Sequence, residues 1–415
     1  MKFNKLIISE WKQFHEIDLQ FHERLTILTG ANGSGKTTIL NLLARHFGWY
    51  FNELSTPVKD KSSGAFKWMP PWLSSVIRKF TSQNLVNNPN KIGEIHYDNG
   101  SVAEITLHDN NNNPQYYISI EPEQHFSGIN IVSHRDIFRY QHVGNIPTTK
   151  RSRKEAFHII HNCNMSFYTQ VNNQRLNTNF SIKETLLTWA ISGSGNEYIE
   201  ADLELKRNFE DFQDILRIIL PQSIGFKSIT IRNYEVVLVT DSGNFMIDAV
   251  SGGIASIIDL AWQLYNFSDT KEKFTVLIDE IENHLHPTMQ RRILPDLLEA
   301  FPNVQFIVST HSALVVGSVK NSNVYIFQFD DQKKVFSQPL DFVNKARTAT
   351  EILNEVLGIP FTMPTWAEEI LEKLVKKYRG MELTEKNINE MRKEFKSEGL
   401  ESLMPTAIKG VFRND

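Results

Sequence analysis

The sequence predicts an α/β fold: a mixed β-sheet flanked by helices, with an antiparallel β subdomain and a compact helical insert. Three observations lead there. Leu25–Leu28 is a short apolar run ending at Gly30, and in Thr38–His46 residues Ile39, Leu42 and Leu43 fall on one face. A buried strand therefore passes through a glycine-rich turn into a helix. Residues 254–328 alternate helix-like and strand-like segments: helices at 254–267, 288–301 and 312–319, strands at 274–279, 304–309 and 323–328. Short connections between them imply a parallel sheet covered by helices. Residues 92–132 hold four strand-like runs, IGEIHY, SVAEITLH, YYISI and INIVS, separated by turn-forming residues, and read as an antiparallel meander.

The remaining elements follow in order. Lys5–Ser9 and Ile17–Phe21 are strand-like. Pro57, Pro70, Pro71 and Pro89 interrupt any long helix between 50 and 90. The Asn110–Asn113 tract reads as a loop tip. Residues 150–220 look helical and polar and open with the basic cluster Lys150, Arg151, Arg153 and Lys154. That cluster fits either a solvated charged loop or a contact with nucleic acid or an acidic protein. Strands return at Ser228–Arg232, Glu235–Thr240 and Asn244–Asp248, and the last 70 residues, rich in Glu and Lys, read as a small helical cap. The expected organisation is an N-terminal lobe over 1–149, a helical insert over 150–224, a second lobe part over 225–343 and a helical extension over 344–415.

Bulk properties narrow the class. Lys and Arg number 44 against 48 Asp and Glu, so no global basicity announces nucleic acid. The N-terminal MKFNKLIISEWKQF has no long apolar core, and runs such as Phe274–Ile278 are strand-sized, far below the roughly 20 residues of a membrane helix. A cytoplasmic protein without a membrane partner is expected. The single cysteine, Cys163, excludes an intramolecular disulfide framework and a Cys-rich zinc site, and reads as a small, partly buried residue.

The chemistry begins at Gly30-Ala31-Asn32-Gly33-Ser34-Gly35-Lys36-Thr37, which matches the phosphate-binding P-loop pattern at every position. Glycines let the backbone turn its N–H groups toward phosphates, and the helix N-terminus adds its dipole. Gly30, Asn32, Gly33, Ser34 and Gly35 are thus candidate nucleotide-binding residues. Lys36 offers charge to the β- and γ-phosphates, and Thr37 a hard oxygen for Mg²⁺. Thr38 serves the α-phosphate or fills the helix start.

Phe274–Ile278 is an apolar run ending in Asp279-Glu280. Neighbouring strand residues face opposite ways, so the two acids can divide the work. Asp279 is the candidate Mg²⁺ holder, and Glu280 the candidate base that orients and deprotonates water. After Val304–Ser309 comes Thr310-His311-Ser312. His311 can reach the γ-phosphate as a switch, while Ser309, Thr310 and Ser312 can equally cap a helix. His284 and His286 form an H-x-H near the acids. With no third ligand evident and Pro287 suited to a helix first turn, they read as a subunit-contact loop rather than a metal site.

Val250-Ser251-Gly252-Gly253-Ile254 precedes an apolar helix. In this order with the P-loop, the Asp279-Glu280 strand and His311, it looks like the ABC signature, with Val250 and Ile254 in place of Leu and Gln of the common LSGGQ form. Together these motifs resemble the ABC-type ATPases of the RecF, SMC and OLD superfamily, over about residues 1–50 and 225–330. The resemblance implies a P-loop NTPase fold of the ABC type and an ATPase using ATP and Mg²⁺. It also implies a homodimer or higher homo-oligomer in which each ATP lies between one copy's P-loop and the other's Ser251, Gly252 and Gly253. Gln141 is a candidate Q-loop glutamine. Ser133-His134-Arg135 looks like the arginine-bearing segment of many OLD-like ATPases, with Arg135 touching nucleotide or a partner, or forming a structural salt bridge.

About 215 residues separate Lys36 from Ser251. No apolar heptad persists there, so a compact insert is expected instead of the long coiled coil of SMC proteins. About 100 residues follow His311, and they lack the Asp-x-Asp of the nuclease module of OLD proteins, since Asp330-Asp331 does not fit. Ala349–Arg379 looks like the segment after the core in stand-alone ATPases of anti-phage systems such as Septu and PARIS. That resemblance implies a sensor or scaffold whose ATP state controls a separate effector, a nuclease. The alternatives are a RecF-like repair ATPase that binds DNA directly and an ABC protein acting on ribosomes or another complex.

Overall fold

The computed structural model describes residues 1–59, 64, 66–69, 91–108, 114–135, 137–169, 177–268, 273–341, 349–352, 365–378, 384–401 and 404. The Asn110–Asn113 tract, Pro70, Pro71, Pro89 and much of the Ala349–Arg379 segment lie outside these residues. The chain divides into two compact units, Met1–Ala349 and Thr350–Asp415.

The first unit is organised by one mixed sheet of twelve strands. Its parallel half contains β3 (Leu25–Gly30), β10 (Gly128–Ile131), β14 (Phe274–Ile278), β15 (Val304–Thr310) and β16 (Asn323–Phe329). These strands run in the order β10-β14-β15-β3-β16, each parallel to its neighbour. Every residue of β3, β14 and β15 is buried, as expected for parallel strands covered on both faces. The P-loop strand β3 therefore sits between β15 and β16, with the end of β14 one strand further on. This is the covered α/β architecture that the sequence predicts around the glycine-rich loop.

The antiparallel half consists of β1 (Phe3–Trp11), β2 (Phe14–Gln20), β4 (Glu53–Leu54), β7 (Lys91–Tyr97), β8 (Val102–His108), β9 (Gln115–Glu121) and β17 (Val335–Pro339). It joins the parallel half through the antiparallel pair β16–β17 and the parallel pair β17–β2, then continues β2-β1-β7-β8-β9-β4. Alternating burial along β8 gives it one wet face. A short pair, β5 (Thr56–Lys59) and β6 (Phe66–Met69), stands apart.

The meander expectation needs one correction. The INIVS run does not form a fourth antiparallel strand. It lies in β10, which pairs in parallel with β14 at the edge of the parallel half. Its Ile129, Asn130 and Ile131 are all buried, a pattern of continuous burial rather than alternation. Run length and composition do not specify a pairing partner, which the crossover topology decides.

Helix α1 (Lys36–Ala44) turns Ile39, Leu40, Leu42 and Leu43 into the core. Around 150–220 the structure has α2 (Arg153–Tyr168), α3 (Thr178–Ser194) and α4 (Leu203–Ile219). They pack with α5 (Gly252–Phe267), where Trp262 meets Trp189 and Phe212 at ring distances of 5.1 and 4.9 Å. The basic cluster is largely engaged within the chain. Lys150 pairs with Asp202 and Glu204, Arg151 with Glu184, and Arg153 donates to the carbonyls of Tyr265 and Ser268. A separate antiparallel sheet holds β11 (Phe226–Arg232), β12 (Glu235–Thr240) and β13 (Gly243–Met246). The helix expected over 288–301 is two helices, α6 (Pro287–Gln290) and α7 (Ile293–Ala300). Pro295 has no N–H to donate to the Arg291 carbonyl, so one helix does not run unbroken through Arg291. Helix α8 (Ala313–Val316) is likewise shorter than the expected 312–319.

In the second unit, α9 (Thr365–Tyr378) carries Ala367, Leu371, Leu374 and Tyr378 on one stripe. They pack with Met391 and Phe395 of α10 (Glu385–Ser397) and with Leu400 and Met404.

Candidate functional site

The loop after β3 is shaped by close approach. Gly30 has φ 142°, and a Cβ there would stand 2.5 Å from the Phe327 carbonyl oxygen of β16. Gly35 has φ 92°, and a Cβ would collide with Gln13 and Phe14, both at 2.5 Å. Only glycine supplies these conformations without strain, so the strand spacing itself demands the motif. Asn32 and Gly33 lie on the exposed rim, while Ser34 and Lys36 are buried.

Lys36 Nζ donates to the carbonyls of Gly30 and Ala31, each at 3.0 Å. Burial lowers its pKa to about 8, against the opposing pull of Asp279, Glu280 and Glu282. The Asp279 carboxyl is raised by burial, with hydrogen bonds from Ser309 and Thr37 working the other way. Both groups shift toward their neutral forms, so desolvation outweighs their mutual attraction.

Asp279 is the hub. Thr37 Oγ1 donates to its oxygens at 3.0 and 3.2 Å, and Ser309 Oγ donates to Oδ1 at 2.5 Å. The same Ser309 oxygen accepts the Glu280 N–H at 2.8 Å. Glu280 has φ 45°, a left-handed backbone for a non-glycine residue, as the chain turns off β14. Its carboxylate accepts Asn283 Nδ2 at 2.7 Å, and Asn283 also donates to the Ser133 carbonyl at 3.1 Å. The His311 N–H donates to the Glu282 carboxylate. Burial, then the nearby Lys36 charge, lowers the His311 pKa, favouring neutral imidazole.

The structure thus brings together Gly30, Ser34, Lys36 and Thr37 with Asp279, and through Ser309 and Glu282 places Glu280 and His311 alongside. It does not bring Ser251, Gly252 and Gly253 into this hydrogen-bonded cluster. They form the N-terminus of α5, where Ser251 is exposed and makes no side-chain cap. A Cβ on Gly253 would stand 2.9 Å from the His284 carbonyl, so α5 starts against the turn after the acids. His286 caps α6, its Nδ1 2.9 Å from Thr288 Oγ1. Gln141 is engaged with the helical insert: its side chain accepts Asn177 Nδ2 at 2.8 Å and its carbonyl accepts Lys183 Nζ at 3.0 Å.

Four functional contacts escaped sequence reasoning. Ser309 joins the two acids instead of capping a helix, and Ser312 is the cap, accepting Leu314 N–H at 3.2 Å. Asn283 and Glu282 hold Glu280 and the His311 backbone. Arg135 is a buried backbone clamp, donating to carbonyls of Asp279, Glu280 and Ile281 at 3.3 to 3.4 Å. The DEIEN spacing signals Asn283, three residues after Glu280. The motifs single out Ser309 and Arg135, but nothing local gives their partners, which are distant in sequence.

Mg²⁺ and ATP are tested against this geometry. Ser34 Oγ, fully buried inside the loop, has no hydrogen-bond partner among the described residues. Thr37 and Asp279 bring hydroxyl and carboxylate oxygens within 3.2 Å of each other. An unpartnered donor beside a lysine suits phosphate, and hard oxygens suit Mg²⁺. The residues fit.

Residues 25–317 match the family described as "AAA domain, putative AbiEii toxin, Type IV TA system". The chain belongs to this family. It is an ATPase of the AAA/ABC type, and the match spans Gly30–Thr37, Ser251–Gly253, Asp279, Glu280 and His311. The chain is similar to a retron Vc95 probable ATPase of Vibrio cholerae, 24% identical over 92% of this chain and 83% of the relative. It is also similar to a retron Ec83 probable ATPase of Escherichia coli, 28% identical over 43% of this chain and 33% of the relative. A Septu protein PtuA of Bacillus thuringiensis is 27% identical over 40% and 46%. Among solved structures, the SMC head domain from Thermotoga maritima matches with a TM-score of 0.42 and 14% identity, over 82% of this chain and all of that one. Among the described residues no helix is long and apolar enough to cross a membrane.

Proposed function

We propose that the chain is an ATP-driven switch whose nucleotide state controls a separate effector, a nuclease, in anti-phage defence. The P-loop amides and Lys36 grip the triphosphate, with Gly30, Asn32, Gly33, Ser34, Gly35 and Thr38 shaping the cradle. Thr37 and Asp279 hold Mg²⁺, which when bound neutralises developing phosphate charge. Glu280, its carboxylate set by Asn283, orients and deprotonates water, and His311 reports the γ-phosphate. Ser251, exposed, and Gly252 and Gly253, half-buried, stand at a helix N-terminus and close the nucleotide of a second copy. The 284–286 loop lies beside that surface and joins the contact.

One observation carries the reading. A single carboxylate, Asp279, accepts hydrogen bonds from the P-loop threonine and from Ser309, which also holds the backbone of Glu280. The likeness to retron and Septu proteins supports the defence role. Direct DNA binding draws no support from the basic cluster, since Lys150, Arg151 and Arg153 are engaged within the chain.

The test is Glu280→Gln. The variant should bind Mg-ATP as the parent does, lose hydrolysis by about 10²-fold or more, and accumulate as an ATP-dependent dimer by light scattering. Unchanged turnover would remove Glu280 from the role of base, and a monomer at saturating ATP would remove the closed dimer.

A further inference from the structure

Arg135 stands where two parts of the proposed machine meet. Its guanidinium is buried, and Nη2 donates to the Asp279 and Glu280 carbonyls, both at 3.3 Å. Nη1 donates to the Ile281 carbonyl at 3.4 Å and to Ser256 Oγ at 3.2 Å. Ser256 lies on α5, about one turn beyond Gly252 and Gly253. Its hydroxyl in turn donates to the Asn283 carbonyl at 3.4 Å, on the residue whose side chain holds Glu280. Three residues further along α5, the buried Asp259 supplies the strongest stabilising charge on the Arg135 guanidinium.

A planar fork with fixed donors is a rigid connector, because its hydrogen bonds cannot slide independently. Here one fork holds three successive carbonyls of the strained turn around Glu280 and, through the Nη1 that also holds Ile281, the helix α5. Any shift of α5 along its axis moves Ser256, and through it the Arg135 and Asn283 contacts that set the Glu280 backbone and carboxylate. Resting on the closed-dimer reading above, we infer that Arg135 and Ser256 are positioning residues that couple engagement of Ser251–Gly253 by a second copy's nucleotide to the alignment of Glu280 in the same chain. Hydrolysis at one site is thereby conditional on occupancy of the other.

The experiment measures steady-state ATP hydrolysis against ATP concentration for the full chain and for Ser256→Ala, Arg135→Lys and Arg135→Met, with melting temperature as the folding control. Ser256→Ala cuts only the link to α5. It should lower kcat about fivefold to tenfold, leave half-saturation within twofold, and move the Hill coefficient toward 1. Arg135→Lys keeps the charge but not the fork, and should fall between the parent and Arg135→Met. Ser256→Ala with parental kcat and cooperativity overturns the inference while leaving the ATPase reading intact, as does a change in melting temperature alone. A parent that hydrolyses ATP without cooperativity and stays monomeric removes the closed-dimer reading itself.

Discussion

Replacing Ser309 by alanine removes the hydroxyl that joins the two acids. Ser309 is fully buried, donates to Asp279 at 2.5 Å and accepts from the Glu280 amide at 2.8 Å. A hydrogen bond to a charged acceptor contributes about 1.5–3 kcal/mol, and an amide left without its acceptor costs about 1–3 kcal/mol. Thr37 still donates to Asp279, so the loss sums to about 3–5 kcal/mol, shared between stability and alignment. If about 3 kcal/mol appears as misalignment of Glu280, kcat falls about a hundredfold. The pH profile carries the second signature. Burial raises the Asp279 pKa, and the Ser309 bond is the largest influence opposing that rise. Deleting it raises the pKa further. Mg²⁺ binds the ionised carboxylate, so protonation competes with the metal as pH falls, and at limiting Mg²⁺ the acid limb moves to higher pH in the variant. Phosphate release measured across mildly acidic to mildly basic pH tests both points. A kcat within twofold of the parent, with superimposable acid limbs, would refute the hub role of Asp279 and Ser309.

Other expectations follow from the same structure. Asp279→Asn should abolish hydrolysis yet raise the melting temperature near neutral pH. The folded carboxyl pKa lies above its ordinary value, so the folded chain holds its proton more tightly and stability declines as pH rises through that pKa. His161, stacked on Phe157 at 4.7 Å, has its pKa lowered by burial to about 4. The unfolded chain takes up the proton first, so about 3 kcal/mol of stability drains as pH falls from 6.5 to about 4. His161→Phe should flatten the acid side of a pH–melting curve by that amount, and an unchanged curve would clear His161. Lys183 is fully buried between Glu235 at 2.5 Å and Asp248 at 2.6 Å. Lys183→Met leaves two carboxylates without their cation and should destabilise the chain by about 3–5 kcal/mol, read by thermal melting.

The sequence by itself determined the local elements whose chemistry is contiguous. The P-loop is readable because eight adjacent residues supply the glycines, the lysine and the hydroxyl, and an apolar strand and amphipathic helix flank them. Asp279-Glu280 is readable for the same reason, as adjacent acids closing an apolar run. The alternation over 254–328 specified a covered parallel sheet, since strands buried on both faces must be apolar throughout. Where hydrophobic period was the only clue, it was insufficient. The INIVS run satisfies either an antiparallel or a parallel partner, and β14 claims it.

Tertiary structure decided everything that depends on contacts across the chain. Ser309 and Asp279 are 30 residues apart, and Arg135 lies 121 residues from Ser256. Those pairings exist only because β14 lies beside β15 and β10. Side-chain type announces that serine or arginine can donate, but not which carbonyl or carboxylate the fold will place within reach. A motif is a property of consecutive residues. An aligned carboxylate is a property of strands packed in register, and the packing of the sheet supplies it.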